Sequence, residues 1–291
     1  MMPAKMNQIK DKNKKDLIPK SFLQSGNPLK ITNDILFKHP KVQEIMDIDK
    51  ETLGLYSERI YYSMINIFLT DPYDYMVYLD NNGIDYEEIT SFDLFCMLFK
   101  DYNNNFIDFY NNLNNNNANL DISEIHIYFK SFKFFTGIEK FFISKDNNGK
   151  SVLGYGNNKF LMDEEIYNYV SEFVRKINGI SETDKIYPSN KWSKEILIED
   201  EREKLKRKKN NIGNNEDSSK NKLGDMLSSI TWCSNGNISP YNRNNLYIYD
   251  LIEGIQKTDK LYNYKNTMTG LYSGCIDKKN INIKEIHWST D

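Results

Sequence analysis

The chain has little of what usually advertises a chemical function. In 291 residues it has 3 cysteines and 3 histidines. Cys96, Cys233 and Cys275 lie far apart, as do His39, His126 and His287, so neither set has metal-ligand spacing. Cys96 stands among apolar neighbours, where a buried, reduced thiol is expected, and folding in a reducing, intracellular environment follows from that. No stretch of about 18 apolar residues is present, so no membrane span is expected. The N-terminal lysines have no apolar core behind them, which argues against a signal peptide. A net charge of −3 gives the whole chain no pull toward nucleic acid. There is no glycine-rich loop ending in Lys-Ser or Lys-Thr, and no Gly-x-Ser-x-Gly elbow. Gly154-Tyr155-Gly156 lacks the third glycine of a dinucleotide fingerprint and lies between predicted strands, so it reads as a hairpin turn.

What the chain does have is aromatic side chains, 20 Tyr and 16 Phe. They supply core material for a chain long enough to bury one. Its abundance of Asn, Lys, Ile and Tyr matches an A/T-rich coding sequence and carries no functional weight. The block from Leu53 to Phe99 predicts three short helices. Ile60, Met64, Ile67 and Phe68 share one helix face at i, i+4, i+7 and i+8. Pro72 ends that helix; Asp71 is placed to cap the next and Pro72 to open it. Asn82-Gly83 breaks the second helix. Thr90 or Ser91 caps the third, with Asp93 in its first turn. Helices this short must pack on one another to persist.

Residues 1–27, rich in Lys, Asn and Asp, read as a flexible N-terminal arm, with order beginning at Pro28. Asp34 to Met46 reads as a peripheral segment interrupted by His39-Pro40, and Asp101 to Leu120 as a helix with a polar tail. Residues 28–120 thus form a helical, aromatic-rich region. The period then changes to two. Ile125, Ile127 and Phe129 alternate with His126, Tyr128 and Lys130, which predicts a strand. With Glu139–Ser144, the turn Asp146-Asn147-Asn148-Gly149, Val152-Leu153 and Phe160-Leu161-Met162, this gives a small antiparallel meander over 122–162. Asp163 caps a helix whose apolar face carries Ile166, Val170, Phe173, Val174 and Ile177, which Gly179 ends and which is expected to cover the meander. Trp192 to Lys209 predicts a charged helix with pairs Asp200–Lys204 and Glu203–Arg207. The meander and these helices make up residues 121–206. Residues 207–222 read as a disordered linker, and 223–291 as a C-terminal helical region with a strand-like tail through Ile281, Ile283, Ile286 and Trp288. The expected fold class is therefore α+β: a helical N-terminal part, a small antiparallel β-meander covered by a helix, and a helical C-terminal part.

Two charged features invite a chemical reading. Asp71, Asp74, Asp80, Asp85 and Asp93 form an acidic cluster in sequence, and carboxylates can do acid–base or metal work. Each lies at a predicted helix boundary, where capping accounts for it. Lys204-Leu205-Lys206-Arg207-Lys208-Lys209 is the one strongly basic run. Such a run can contact phosphates, but it closes a helix that begins acidic, and cations are favoured at a helix C-terminus. No catalytic, cofactor-binding or metal-ligating residue, and no cofactor, is expected from these patterns.

Several strings, taken in order, resemble a known group. They are Ile31-Thr32-Asn33-Asp34-Ile35-Leu36-Phe37-Lys38-His39-Pro40, Thr70-Asp71-Pro72-Tyr73-Asp74, Gly83-Ile84-Asp85-Tyr86, Ser91-Phe92-Asp93-Leu94-Phe95, Leu246-Tyr247-Ile248-Tyr249-Asp250, Leu271-Tyr272-Ser273-Gly274 and Ile286-His287-Trp288. Together they resemble virion-morphogenesis proteins from tail-gene clusters of phages of low-GC Gram-positive bacteria, of baseplate-hub or tail-assembly chaperone type. The resemblance runs over most of residues 30–291 and consists of fold-punctuating residues, so it carries over no catalytic position. The Asn-rich insertions and the linker near Ile212 depart from it. It implies a non-enzymatic protein that binds phage tail or baseplate proteins, or itself. It would act in the host cytoplasm during assembly or reside in the virion tail or baseplate, with no membrane partner. The alternative from a different class is a nucleic-acid-binding phage protein using residues 204–209; an enzyme built on the acidic cluster is the least favoured.

Overall fold

A computed structural model describes residues 18–50, 56–114, 126–181, 185–211, 222–233, 238–277, 279 and 281–289. The fold is α+β, mostly helical, with two small antiparallel sheets. Order extends N-terminal to Pro28. Helix α1 (Lys20–Gln24) places Leu23 in the core beside Ile18, two apolar residues that the lysine-rich composition around them concealed. The rest of the expected arm, residues 1–17, lies outside the described residues.

Residues 34–46 are central and not peripheral. A two-stranded ribbon of β1 (Leu29–Lys30) and β2 (Leu36–Phe37) precedes α2 (Val42–Met46). Phe37, fully buried, stacks on Phe135 at 4.6 Å and meets the edge of Phe68 at 5.1 Å. Helix α3 (Ser57–Asn66) buries Tyr61, Met64 and Ile65. Asp71 then accepts the Tyr73 N–H at 3.0 Å and opens a 3-10 turn, Pro72–Tyr75, that runs into α4 (Met76–Asn81). Gly83, at φ 69°, ends it in the left-handed conformation that glycine takes without strain.

The two segments expected on either side of residue 100 are one helix, α5 (Ser91–Asn114). No Gly or Pro interrupts residues 91–114, and Asn costs a helix only about 0.7 kcal/mol or less per residue. Thr90 caps α5, its Oγ1 accepting the Asp93 N–H at 3.1 Å and donating to the Asp93 carboxylate at 3.0 Å. The strand predicted at 125–130 is also helical: α6 (Ile127–Thr136) buries Tyr128, Phe129, Phe132 and Phe135. Those positions fall at i, i+1, i+4 and i+7, a helical period over ten residues that outweighs alternation over six. Residue 125 itself lies outside the described residues.

The meander therefore begins at Phe141, with β3 (Phe141–Lys145), β4 (Ser151–Tyr155) and β5 (Lys159–Met162) in sequential antiparallel order. Asp163 accepts the Ile166 N–H at 3.0 Å and caps α7 (Glu164–Ile177). The buried face of α7, with Tyr167, Val170, Phe173, Val174 and Ile177, packs against α5 and β5. The Tyr167 hydroxyl donates to the Ile67 carbonyl at 3.0 Å and ties α7 to the end of α3.

Helix α8 (Lys191–Asn211) is charged, as predicted, and extends into the expected linker; residues 212–221 lie outside the described residues. Arg207 pairs with Glu203 at 3.0 Å, but Lys204 pairs with Glu201 at 3.2 Å in place of Asp200. Helix α9 (Lys222–Cys233) buries Leu223, Leu227 and Ile230 and packs on α10 (Ile248–Tyr272). The start of α10 is stitched to the N-terminal part by the Val42 N–H on the Leu246 carbonyl at 2.9 Å and the Ile248 N–H on the Pro40 carbonyl at 3.1 Å. Ile248 and Leu251 enter the core, and no described residue after Leu251 is buried. The tail is not strand-like. Asn282 accepts the N–H groups of Glu285 and Ile286, and its side chain donates to Glu285, which sets up a single helical turn, α11 (Ile283–Ile286).

One contiguous set of buried residues runs from Ile18 to Leu251. A separate, smaller cluster, Leu79, Tyr86, Leu94 and Ile198, holds α8 against α4.

Candidate interaction surfaces

The acidic residues singled out in the sequence do not converge on one point. Asp71, besides capping, pairs with Lys185 at 2.7 Å. Asp85 accepts from the Glu87 N–H at 2.9 Å and from the Lys194 ammonium, which also reaches Glu87 at 2.8 Å. Asp80 pairs with Arg202, which holds Glu199 at 3.1 Å as well. Asp93 serves the Thr90 cap. Asp71, Asp80, Asp85 and Asp93 thus each have a partner of their own, and most of those partners come from residues 185–202. Lys185 and Lys194 also sit over aromatic rings, at 4.9 Å from Tyr73 and 4.6 Å from Tyr86. The result is a seam of alternating ion pairs and rings around the small core of Leu79, Tyr86, Leu94 and Ile198.

The electrostatics follow from this geometry. The hydrogen bond from Lys194 holds the Asp85 carboxyl below its usual range. Desolvation opposes the charge on Lys194, but its bonds to Asp85 and Glu87 outweigh that and raise its pKa. Burial raises Asp74, with Asp71 adding to the effect, and pushes Tyr73 up to about 12. A cleft of about 610 Å³ opens beside the seam, lined by Ile84, Asp85, Tyr86, Pro188, Lys194 and Ile198 among others. Lys185, Lys194 and Arg202 went unnoticed in the sequence because more than 100 residues separate the latter two from their carboxylate partners, 109 for Lys194–Asp85 and 122 for Arg202–Asp80. No local spacing records such a pairing.

Residues 204–208 of the basic run are exposed near the C-terminal end of α8, with Lys204 and Arg207 engaged by Glu201 and Glu203 of the same helix. Among the described residues, no group of three His, Cys, Asp or Glu side chains is arranged to hold a metal ion. His39 and His126 are buried among aromatic rings, with both ring nitrogens of each lacking a hydrogen-bond partner. Desolvation lowers both to a pKa of about 4, so each is neutral at pH 7. Cys96 is buried and free, its thiol pushed up to about 12 by desolvation, which makes it a packing residue and not a nucleophile.

Aromatic side chains give the surface a distinctive character. Trp192 is 71% exposed, Trp232 77%, Tyr272 85% and Tyr241 96%. Scattered exposed apolar residues are ordinary. Here three of these four lie after residue 230, where α10 runs on for more than five turns beyond Leu251 without a buried side chain. The tail folds back on that helix, with His287 meeting Tyr264 at 5.0 Å and lying beside Trp288 at 5.8 Å. Along this helix and strap Tyr262, Tyr272, Ile276 and Trp288 are exposed, while Ile252, Ile255, Leu261 and Met268 are half-buried.

No helix among the described residues is long and apolar enough to cross a membrane. No curated protein and no solved structure matches the chain. Residues 212–291, which include α9, α10 and α11, match the family model described as YomV second domain, a Bacillus phage-type protein family.

Proposed function

We propose that this is a virion-morphogenesis protein of a phage tail or baseplate, either a hub component or an assembly chaperone, that works without catalysis by binding other proteins. Its partner is a tail or baseplate protein or a second copy of the chain, met in the host cytoplasm during assembly. The observation that carries this reading is the exposed aromatic surface of residues 222–289, in the segment that matches a phage-type family. Tyr and Trp provide large contact areas at low entropic cost and are enriched at the centres of protein interfaces. The basic run gives the nucleic-acid alternative less support, since two of its cations are already matched by acids one turn away.

The test is co-purification from phage-infected cells at about 0.1 M and about 0.5 M salt, with the captured proteins identified by mass spectrometry. Over that range the screening length shortens from about 10 Å to roughly 4 Å. An aromatic interface keeps its partner at both concentrations. Recovery of nucleic acid at low salt only, with no tail protein in either sample, overturns the reading and favours phosphate contacts.

A further inference from the structure

The cleft of about 610 Å³ beside the ion-pair seam lies between the loop that follows α4 and the start of α8. Asp80, Asp85, Glu87 and Glu195 line it together with Lys191 and Lys194, so anions outnumber cations by two. Arg202, which pairs with Asp80, brings Glu199 with it and leaves that surplus unchanged. Lys194 does not use up the two acids it holds. Its ammonium takes Oδ1 of Asp85 and Oε2 of Glu87, and the second oxygen of each carboxylate accepts no hydrogen bond from the described residues. Glu195 forms no ion pair among the described residues, although Lys191 stands one turn before it on the same helix.

Tyr86 is unsatisfied in the same place. It lines the cleft and is 2% exposed, yet its hydroxyl has no hydrogen-bond partner. A buried hydroxyl left unpaired is destabilising, and most such groups in folded proteins have a partner. Burial raises the phenol's pKa and Glu87 adds to the effect, with Lys194 and Asp85 acting more weakly. The charges that reach the hydroxyl are thus the ones that line the cleft, which places it on the cleft side of the ring. An N–H donor entering the cleft would meet that hydroxyl and the unused oxygens of Asp85 and Glu87. The first turn of α8 favours anions through its dipole, but the Asn190 side chain already takes the Ser193 N–H at 2.9 Å, and four carboxylates share the wall. Nor do the acids among the described residues form a group that could hold a metal ion. A planar guanidinium, with its five N–H donors, serves several acceptors at once better than an ammonium does. Ile84, Pro188 and Ile198 form apolar wall between the charges, and the exposed Tyr187 and Trp192 flank the lining residues 188–191 in the chain.

We propose that this cleft is a docking site for an arginine-bearing segment of a partner protein, the guanidinium donating to Asp85, Glu87 and the Tyr86 hydroxyl and flanking apolar side chains resting on Tyr187 and Trp192. The site is separate from the aromatic surface of residues 222–289 and does not depend on the partner being a tail protein. Charge complementarity of this kind selects a partner more than it adds affinity.

The experiment uses the full chain and a fluorescein-labelled peptide of alternating Arg and Leu, read by fluorescence anisotropy at about 0.05 M salt, where charges are weakly screened. The arginine peptide binds, a matched Lys and Leu peptide binds more weakly, and a matched Glu and Leu peptide does not bind. Glu87→Gln combined with Glu195→Gln weakens binding about tenfold or more, the scale of a lost charge pair, whereas Glu164→Gln with Glu165→Gln on α7 leaves it within about twofold. Tyr86→Phe weakens binding about tenfold, the scale of one hydrogen bond to a charged group. Its unfolding midpoint is unchanged or raised, because the hydroxyl it removes has no partner in the protein. If the Glu87→Gln variant melts early, Tyr86→Phe and Glu195→Gln alone carry the test. Absence of binding by the arginine peptide, equal binding by the lysine peptide, undiminished binding by Tyr86→Phe or by the glutamate variants, or an equal loss in the α7 variant each overturns the proposal. So does self-association of the free chain that Glu87→Gln with Glu195→Gln abolishes, which would seat the basic run of a second copy in the cleft. Tail-protein capture is read in the salt series, so failure there leaves a positive peptide result standing.

Discussion

Two regions of this protein use the same residue types in opposite ways. Within the buried set that spans Ile18 to Leu251, Phe and Tyr fill the interior: Phe37 between Phe68 and Phe135, and Phe132 against Phe141 at 4.4 Å; Trp192, Trp232 and Tyr241 stand outside that set, on the surface. From Ile252 onward, Tyr262, Tyr272 and Trp288 face outward and no described side chain is buried. The difference teaches that aromatic content in this chain is not one quantity. Where it is buried it holds the fold together; where it is exposed, we propose, it is contact surface. Mutations should separate the two uses.

The largest effect belongs to the interior. Phe37→Ala removes a ring with three aromatic neighbours, Phe68, Phe135 and Phe173, and should cost about 3–5 kcal/mol in denaturant unfolding. A loss below about 1 kcal/mol would mean that Phe37 is not central. Next comes acid. His39 and His126 have folded pKa values of about 4 against 6.5 unfolded, so between those values the unfolded chain binds more protons. Their contribution is complete above about pH 6.5 and is lost as pH falls toward about 4, at roughly 3 kcal/mol per histidine at full titration. Unfolding at pH 7 and pH 4.5 should show a steeper loss for the wild type than for His39→Leu with His126→Leu; parallel losses would refute the assignment.

How much of this was legible in the sequence depends on where each signal resides. Helix α7 was legible because its period, its Asp163 cap and its Gly179 stop are all local. The Asp71-Pro72 turn and the Asn147-Asn148-Gly149 hairpin were legible for the same reason. Helix α6 was misread because alternation over a few residues also fits a segment apolar on nearly every side, as a helix buried against β3 and α3 must be. Phe37 looked peripheral because its neighbours Phe68, Phe135 and Phe173 are remote in sequence. The candidate surfaces were legible only as a surplus of aromatic residues. Which of them face outward is decided by packing between distant elements, and the partners of Asp80 and Asp85 on α8 are equally non-local.

Smaller effects sharpen the boundary between the regions. Gly179→Ala places a Cβ against Ile252 in a left-handed backbone conformation and should cost about 1–3 kcal/mol, read as a lowered unfolding midpoint. An unchanged midpoint would show that α7 and α10 separate easily there. Asp71→Ala should cost about 1 kcal/mol through the lost cap; full thermal stability with lost partner binding would instead make Asp71 part of an interface. Tyr272→Ala and Trp288→Ala should each change stability by no more than about 0.5 kcal/mol, as exposed side chains do.

The most direct measurement combines Trp232→Ala, Tyr241→Ala, Tyr272→Ala and Trp288→Ala in one chain and compares it with wild type in two readouts, thermal unfolding and capture of identified tail or baseplate proteins from phage-infected cells. The predicted result is an unfolding midpoint within about 4 °C of wild type, the shift of roughly 1 kcal/mol in a domain of this size, together with loss of the captured proteins. Undiminished capture by a folded variant would contradict the claim that the C-terminal aromatic surface is where this protein binds.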